Sequence, residues 1–169
     1  IFLAIDPFIS GGLKLKKKIE ILKISNIFFS YLTFSQFFEI VGDVNFKKIF
    51  ILFPDPWPKK KHKKRRLINP EFVKNLDKIT LKKSEIFIAT DDEDYSNQIS
   101  KSFSKQNLFK LLLKTSDDQT FEDYKIYPTK YFRKAKRENR RINFFIYKKW
   151  ILKKNIKLFK FLQSLGMNI

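Results

Sequence analysis

Asp55 lies between Pro54 and Pro56, with Trp57 two residues on and the apolar run Ile49-Phe50-Ile51-Leu52-Phe53 before it. Each proline fixes its own φ and restricts the residue ahead of it, so this carboxylate sits in a stiff frame. Such a frame suits one hydrogen-bonding or charge-stabilising task, and the indole beside it offers a flat plate. Residues 59–66 then read Lys-Lys-Lys-His-Lys-Lys-Arg-Arg, seven cations and His62 in eight positions. A strip that dense suits a phosphate backbone. A fixed acid, an aromatic plate and a phosphate grip within fourteen residues point to chemistry on a nucleic-acid base.

The elements that must position these groups follow from apolar runs and their punctuation. Ile1–Ile5, Ile27–Phe29, Phe46–Phe53, Glu85–Ala89, Leu108–Lys114 and Ile142–Lys149 read as strands. Between them, Gly11–Lys23, Phe34–Val41, a segment from Asn69 to about Lys78 and the stretch Asp92–Lys105 read as helices. Asn69-Pro70-Glu71 is a well-formed helix start: a cap, a proline in the first turn, then an acid at the positive end of the dipole. Strands alternating with helices predict an α/β domain with a mostly parallel sheet. In such sheets ligands gather at the carboxyl ends of the strands, where Asp6, Asp55 and Asp91 all fall. Aspartate is also favoured in turns, and any one of the three alone can be read that way.

The chain has 169 residues and a formal charge of +19, with 43% apolar residues. It can bury a core, and its charge favours an anionic partner. Part of the charge follows an AT-rich coding bias, because Lys, Ile, Phe and Asn are all abundant; the clustering at 59–66 does not. With no cysteine and one histidine, no disulfide framework or metal site is expected. No apolar run reaches the roughly 18 residues of a membrane span, and no signal peptide precedes the first strand, so the sequence reads as cytoplasmic. Residues 1–149 form the predicted domain. Residues 150–169 carry Leu152, Ile156 and Phe159 among lysines and are expected to form a basic amphipathic extension.

Phe53-Pro54-Asp55-Pro56-Trp57-Pro58-Lys59, then His62, Lys64-Arg65-Arg66 and Asn69-Pro70-Glu71-Phe72, resembles the motif of the bacterial tRNA (guanine-N7)-methyltransferases. Ala89-Thr90-Asp91 followed by Tyr95, and Thr129-Lys130-Tyr131, agree in order and spacing. The resemblance runs from about Ile1 to Lys149. It implies a Rossmann-like class I methyltransferase fold, S-adenosylmethionine as cofactor, tRNA as partner, and methyl transfer to N7 of guanosine-46 in the variable loop. On that pattern Asp6 follows the second strand of the fold and accepts from the ribose hydroxyls. The first strand and its glycine-rich loop are expected to be missing, and Gly11-Gly12 is a poor substitute. Thr33 stands where the family places an acid for the adenine amino group, and Phe132 stands where it tends to place Glu.

The expected roles are Asp55 in catalysis and at the cofactor, and Lys59, Asp91, Thr129, Lys130 and Tyr131 in binding the substrate, Lys59 at its phosphates. Lys61, His62, Lys63, Lys64, Arg65 and Arg66 are assigned to tRNA phosphates, with a solvated charged loop as the alternative for the whole run. Trp57 either stacks on a base or packs beneath the strip. An amino-methyltransferase reading fails because its motif needs adjacent prolines after the acid. A truncated, inactive RNA-binding remnant remains as the non-enzyme alternative.

Overall fold

The computed structural model describes residues 1–150, so residues 151–169, nearly all of the expected amphipathic extension, lie outside the described part. Two compact units are present, Ile1–Val44 and the chain from Asn45 onward.

In the first unit β1 (Phe2–Ile5) pairs in parallel with β2 (Ile27–Ser30), Phe2 opposite Ile27 and Ile5 opposite Ser30. The crossover is α1 (Ile9–Ile21), which starts two residues earlier than the sequence predicts. Gly12 explains why a glycine lies inside it. A methyl group there would stand 2.3 Å from the Phe29 ring and 2.6 Å from that of Tyr31. The glycine therefore serves close helix–strand approach. The unit ends in α2 (Phe34–Ile40).

The second unit is built on a four-stranded sheet ordered β3 (Phe46–Leu52), β4 (Thr80–Thr90), β6 (Asn143–Lys149), β5 (Phe109–Thr115). β3 and β4 are parallel, and β6 runs antiparallel to both β4 and β5. Three strands thus share one direction and β6 opposes them, which keeps the fold α/β and mostly parallel. β4 starts five residues earlier than its apolar run. Phe46 faces Thr80 but Lys48 faces Glu85, and the extra residues turn through Lys83 at a φ of 67°. Ser84 repairs the gap by donating its hydroxyl to the Phe46 carbonyl at 2.7 Å.

Ile86, Phe87, Ile88 and Ala89 of β4 and Phe144, Phe145, Ile146 and Tyr147 of β6 are buried as unbroken runs. Strands buried on both faces read that way, without the polar alternation of a one-sided sheet. α3 (Pro70–Lys78) packs against α4 (Glu93–Gln106). Asn69 caps α3 by accepting from the Phe72 amide at 2.9 Å, and Asp92 caps α4 by accepting from the Tyr95 amide at 2.7 Å. Two short helices, α5 (Gln119–Asp123) and α6 (Lys130–Arg137), fill the connection between β5 and β6. Phe121, Ala135, Ile142 and Phe144 form a small core there, with Phe53 and Phe132 packed against it. Among the described residues no helix is long and apolar enough to cross a membrane. None of their His, Asp and Glu side chains form a group of three or more placed to hold a metal ion.

Candidate active site

β3 ends as the Phe53 amide donates to the Ala89 carbonyl at 2.8 Å, and the backbone then leaves the sheet. Phe53 and Trp57, two bulky residues, adopt positive φ of 56° and 43°. Left-handed geometry costs such residues on the order of 1–2 kcal/mol each, so the segment between them is held by its surroundings. Asp55 is exposed in that segment, and among the described residues no hydrogen bond or ion pair engages its carboxylate. Asp91 follows the end of β4, the parallel neighbour of β3, so both acids leave the same edge of the sheet.

Arg66 is the principal support of this loop, and its side chain is 1% exposed. Its Nε donates to the Pro56 carbonyl at 2.7 Å and its Nη1 to Gln98 Oε1 at 2.9 Å. Its Nη2 forms an ion pair with Asp94 at 2.7 Å and lies 3.7 Å from Asp92. The guanidinium also stands 4.8 Å over the Tyr95 ring. Tyr95 accepts from the Ile68 amide at 2.9 Å, and Gln98 donates to the Ile68 carbonyl at 3.0 Å. Burial pushes the Tyr95 phenol up to about 12, and the nearby Asp55 charge adds to that rise. The Asp55 loop, the end of the strip and the start of α4 are thereby fastened at one buried cation. Arg66, expected on tRNA phosphates, is instead buried, with Nε and Nη1 hydrogen-bonded and Nη2 ion-paired inside the protein.

The rest of the strip forms a 3-10 helix, Lys60–Arg65, entered at Lys59. Trp57 is half-buried beneath it, with the Arg65 guanidinium 5.0 Å over its ring and the His62 ring 5.9 Å away, edge to face. Lys63 pairs with Asp94 at 2.7 Å. The hydrogen bond from Lys63, then that from Arg66, holds the Asp94 carboxyl below the usual carboxylate range. Lys59, Lys60, Lys61 and Lys64 are exposed, and no acid pairs with them among the described residues.

Asp91 Oδ2 lies 2.5 Å from Arg140 Nη1, a partner that nothing in the sequence pattern indicates. Thr129 caps α6, its hydroxyl accepting from the Phe132 amide at 3.1 Å. Lys130 stands 4.8 Å over the Tyr131 ring, which stacks on Phe53 at 6.4 Å. Thr129, Lys130 and Tyr131 are thus brought to the base of the Asp55 loop. Phe132, in place of an acid, turns into the core against Phe121 at 4.5 Å.

Asp6 and Thr33 belong to the first unit. Asp6 Oδ1 accepts from the Phe8 amide at 2.9 Å in a local turn, and the side chain is otherwise exposed. Thr33 forms a reciprocal capping box with Gln36: its Oγ1 accepts from the Gln36 amide at 3.3 Å and Gln36 Oε1 accepts from the Thr33 amide at 2.9 Å. The Thr33 hydroxyl also donates to Gln36 Oε1 at 2.9 Å, so most of its capacity goes to the cap. The Thr-Phe-Ser-Gln spacing carries that signal, which a reading aimed at the adenine passes over.

The family described as "Putative methyltransferase" matches residues 1–145. A tRNA (guanine-N(7)-)-methyltransferase of Wolbachia pipientis wMel is 39% identical over 145 residues, covering 86% of this chain and 62% of that protein. One from Neorickettsia sennetsu is 33% identical over 102 residues, covering 60% of this chain and 47% of that protein. The chain therefore spans about half to three-fifths of the length of these curated relatives. Among solved structures, the 16S rRNA methyltransferase KamB superposes with a TM-score of 0.59 at 12% identity, covering 87% of this chain and 75% of that one. At that identity the likeness is one of fold, and it is the class I methyltransferase fold. With its family match over nearly all the described residues, the chain belongs to this methyltransferase family.

Proposed function

We propose that the protein carrying this sequence methylates N7 of a guanosine in tRNA, the variable-loop guanosine-46. The observation that carries the reading is Asp55, an exposed and unpaired carboxylate fixed between two prolines and two left-handed residues, beside a row of unpaired lysines. The relatives' names support the same substrate.

N7 of guanine carries an in-plane lone pair and no proton, so the transfer needs no general base. S-adenosylmethionine, when bound, supplies the electrophilic methyl group. Asp6 fits a role on its ribose: one carboxylate oxygen is used locally and the other remains an acceptor. Thr33 fits less well, because its hydroxyl already accepts once and donates once. As positive charge appears on the purine, the Asp55 carboxylate stabilises it and accepts from the guanine N1–H and amino group. Asp91 orients the base through Oδ1, since Arg140 occupies only Oδ2. Thr129, Lys130 and Tyr131 line the same approach. Lys59, Lys60, Lys61, Lys64 and Arg65 hold phosphates, with His62 as a further donor. Trp57 serves the strip as its packing base.

The test uses the full-length gene product, an unmodified tRNA transcript and labelled S-adenosylmethionine. Asp55→Ala is expected to lower the methylation rate by about 100- to 1000-fold while tRNA affinity changes little, because phosphate contacts supply most of the affinity. A wild-type protein that neither binds nor methylates tRNA would sink the reading. An active Asp55→Ala variant would move the central role to another acid.

A further inference from the structure

α6 carries five cations in eight residues: Lys130, Arg133, Lys134, Lys136 and Arg137. Phe132 and Ala135 anchor the helix in the core beside Phe121 and Phe144. Lys130, Arg133, Lys134 and Arg137 recur at helical spacing on the opposite stripe, and all four are exposed. Lys136 is tied to Asp118, and Lys134 has only a 4.0 Å pair with Glu138. Lys130, Arg133 and Arg137 pair with no acid among the described residues. Directly ahead of the helix, Tyr127 is 81% exposed, the largest value among the exposed described tyrosines. It is also held in place. Pro128 follows it, Arg133 Nη1 donates to the Pro128 carbonyl at 3.0 Å, and the Arg133 guanidinium stands 5.9 Å over the Tyr127 ring.

An aromatic ring left almost wholly in water, steadied by a cation and followed by a stripe of free cations, combines the two parts of a single-strand RNA site. The ring offers a stacking face to a base, and the cations meet the phosphates on either side. Tyr131 links this segment to the Asp55 loop by stacking on Phe53, so both lie on one unit of the protein. We infer that Tyr127 is a stacking platform for an unpaired base of the RNA substrate other than the methylated guanosine, with Arg133 and Arg137 holding the flanking phosphates. This rests on the tRNA reading above and extends it to a second contact. A lipid surface fits worse, because the stripe presents cations and a lone phenol without an apolar face to insert.

The experiment pairs two probes with the full-length gene product. One is unmodified tRNA, read as Kd against salt. The other is a short single-stranded RNA carrying 2-aminopurine, whose fluorescence is quenched when the base stacks. Tyr127→Ala is expected to weaken tRNA binding by about 5- to 100-fold, to abolish the quench and to leave the salt slope unchanged. Tyr127→Phe keeps the ring and should restore both to within about twofold. Arg133→Ala and Arg137→Ala should each lower the magnitude of the salt slope by up to about 0.7–0.9. Thermal unfolding should stay at the wild-type temperature for the tyrosine variants, since the side chain is exposed. Wild-type affinity and quench in Tyr127→Ala would overturn the inference, as would a Tyr127→Phe variant as weak as Tyr127→Ala. Binding to anionic vesicles without binding to RNA would overturn it as well. The tRNA reading itself is judged separately, by whether the wild-type protein methylates tRNA.

Discussion

Replacing Arg66 by Met removes the fork that fastens the Pro56 carbonyl to α4 while keeping most of the side chain's length. Two charge-assisted hydrogen bonds are lost, to Pro56 and to Gln98. Such bonds contribute about 1.5–3 kcal/mol each, so the direct loss is about 3–6 kcal/mol. Removing one partner of a buried cation network costs a similar amount in other proteins. Asp94 is exposed and regains water, so its lost pairing adds little. At about 4 °C per kcal/mol for a domain of this size, the thermal midpoint should fall by about 12–24 °C. Lys61→Met, at an exposed position of the same strip, should stay within about 0.5 kcal/mol of the wild type. Differential scanning calorimetry on the two variants and the wild type makes the comparison. Equal midpoints for Arg66→Met and Lys61→Met would refute the clamp. So would a flattened salt slope of tRNA binding with an unchanged midpoint, because that is the behaviour of a surface phosphate contact.

Three other perturbations have defined outcomes. Replacing Lys60, Lys61 and Lys64 by Ala should lower the magnitude of the log–log salt slope of tRNA binding by up to about 0.7–0.9 per lost contact. Lys63→Ala should lower it less, because that ammonium already pairs with Asp94 at 2.7 Å; slopes identical to the wild type would mark the strip as a solvated loop. Burial raises the Tyr147 phenol from 10.0 to about 12, so the folded protein keeps a proton that the unfolded chain has released. This contribution to stability is complete below pH 10.0 and is lost as the pH rises to about 12. Urea unfolding across that range should show a decline shallower by roughly 2–3 kcal/mol in Tyr147→Phe, and an unchanged decline would remove burial as its cause.

Where the sequence spoke locally, it spoke accurately. The Asn69-Pro70-Glu71 start of α3, the Asp92 start of α4 and the apolar run of β3 each depend on neighbours a few residues away, and each stands where those neighbours put it. The reversed direction of β6 was not legible, because pairing partners more than fifty residues apart decide it: Glu85 faces Lys148 and Thr90 faces Asn143. The helix α6 was hidden by its own composition, five cations with a single buried alanine leaving almost no apolar period. Asp55 and the exposed lysines were legible because prolines and charge runs are visible in one dimension. Arg66 was not. It continues a cationic run, and only the fold shows that Arg66 itself and Ile68 are buried just there. Asp91 was singled out as a candidate, but its partner Arg140 lies beyond α4, β5, α5 and α6, out of reach of any local pattern.

The sheet order sets a constraint on how the protein is made. β4 and β5 do not touch; β6, synthesised after both, lies between them and hydrogen-bonds to each. While the ribosome is still adding residues 116–142, a nascent chain holds two strands whose inner edges have no partner. β4 carries the unbroken apolar run Ile86-Phe87-Ile88-Ala89, and an open apolar edge is a template for pairing with another chain. The seven residues of β6 close both edges at once, and Lys149 then bonds to the carbonyls of Asp77 and Thr80 at the far end of the sheet. Folding of this unit is therefore a late, single event in translation. A stop codon between Phe72 and Asn143 would release a basic polypeptide in need of a chaperone, with every residue of the Asp55 motif present and no closed sheet to hold it.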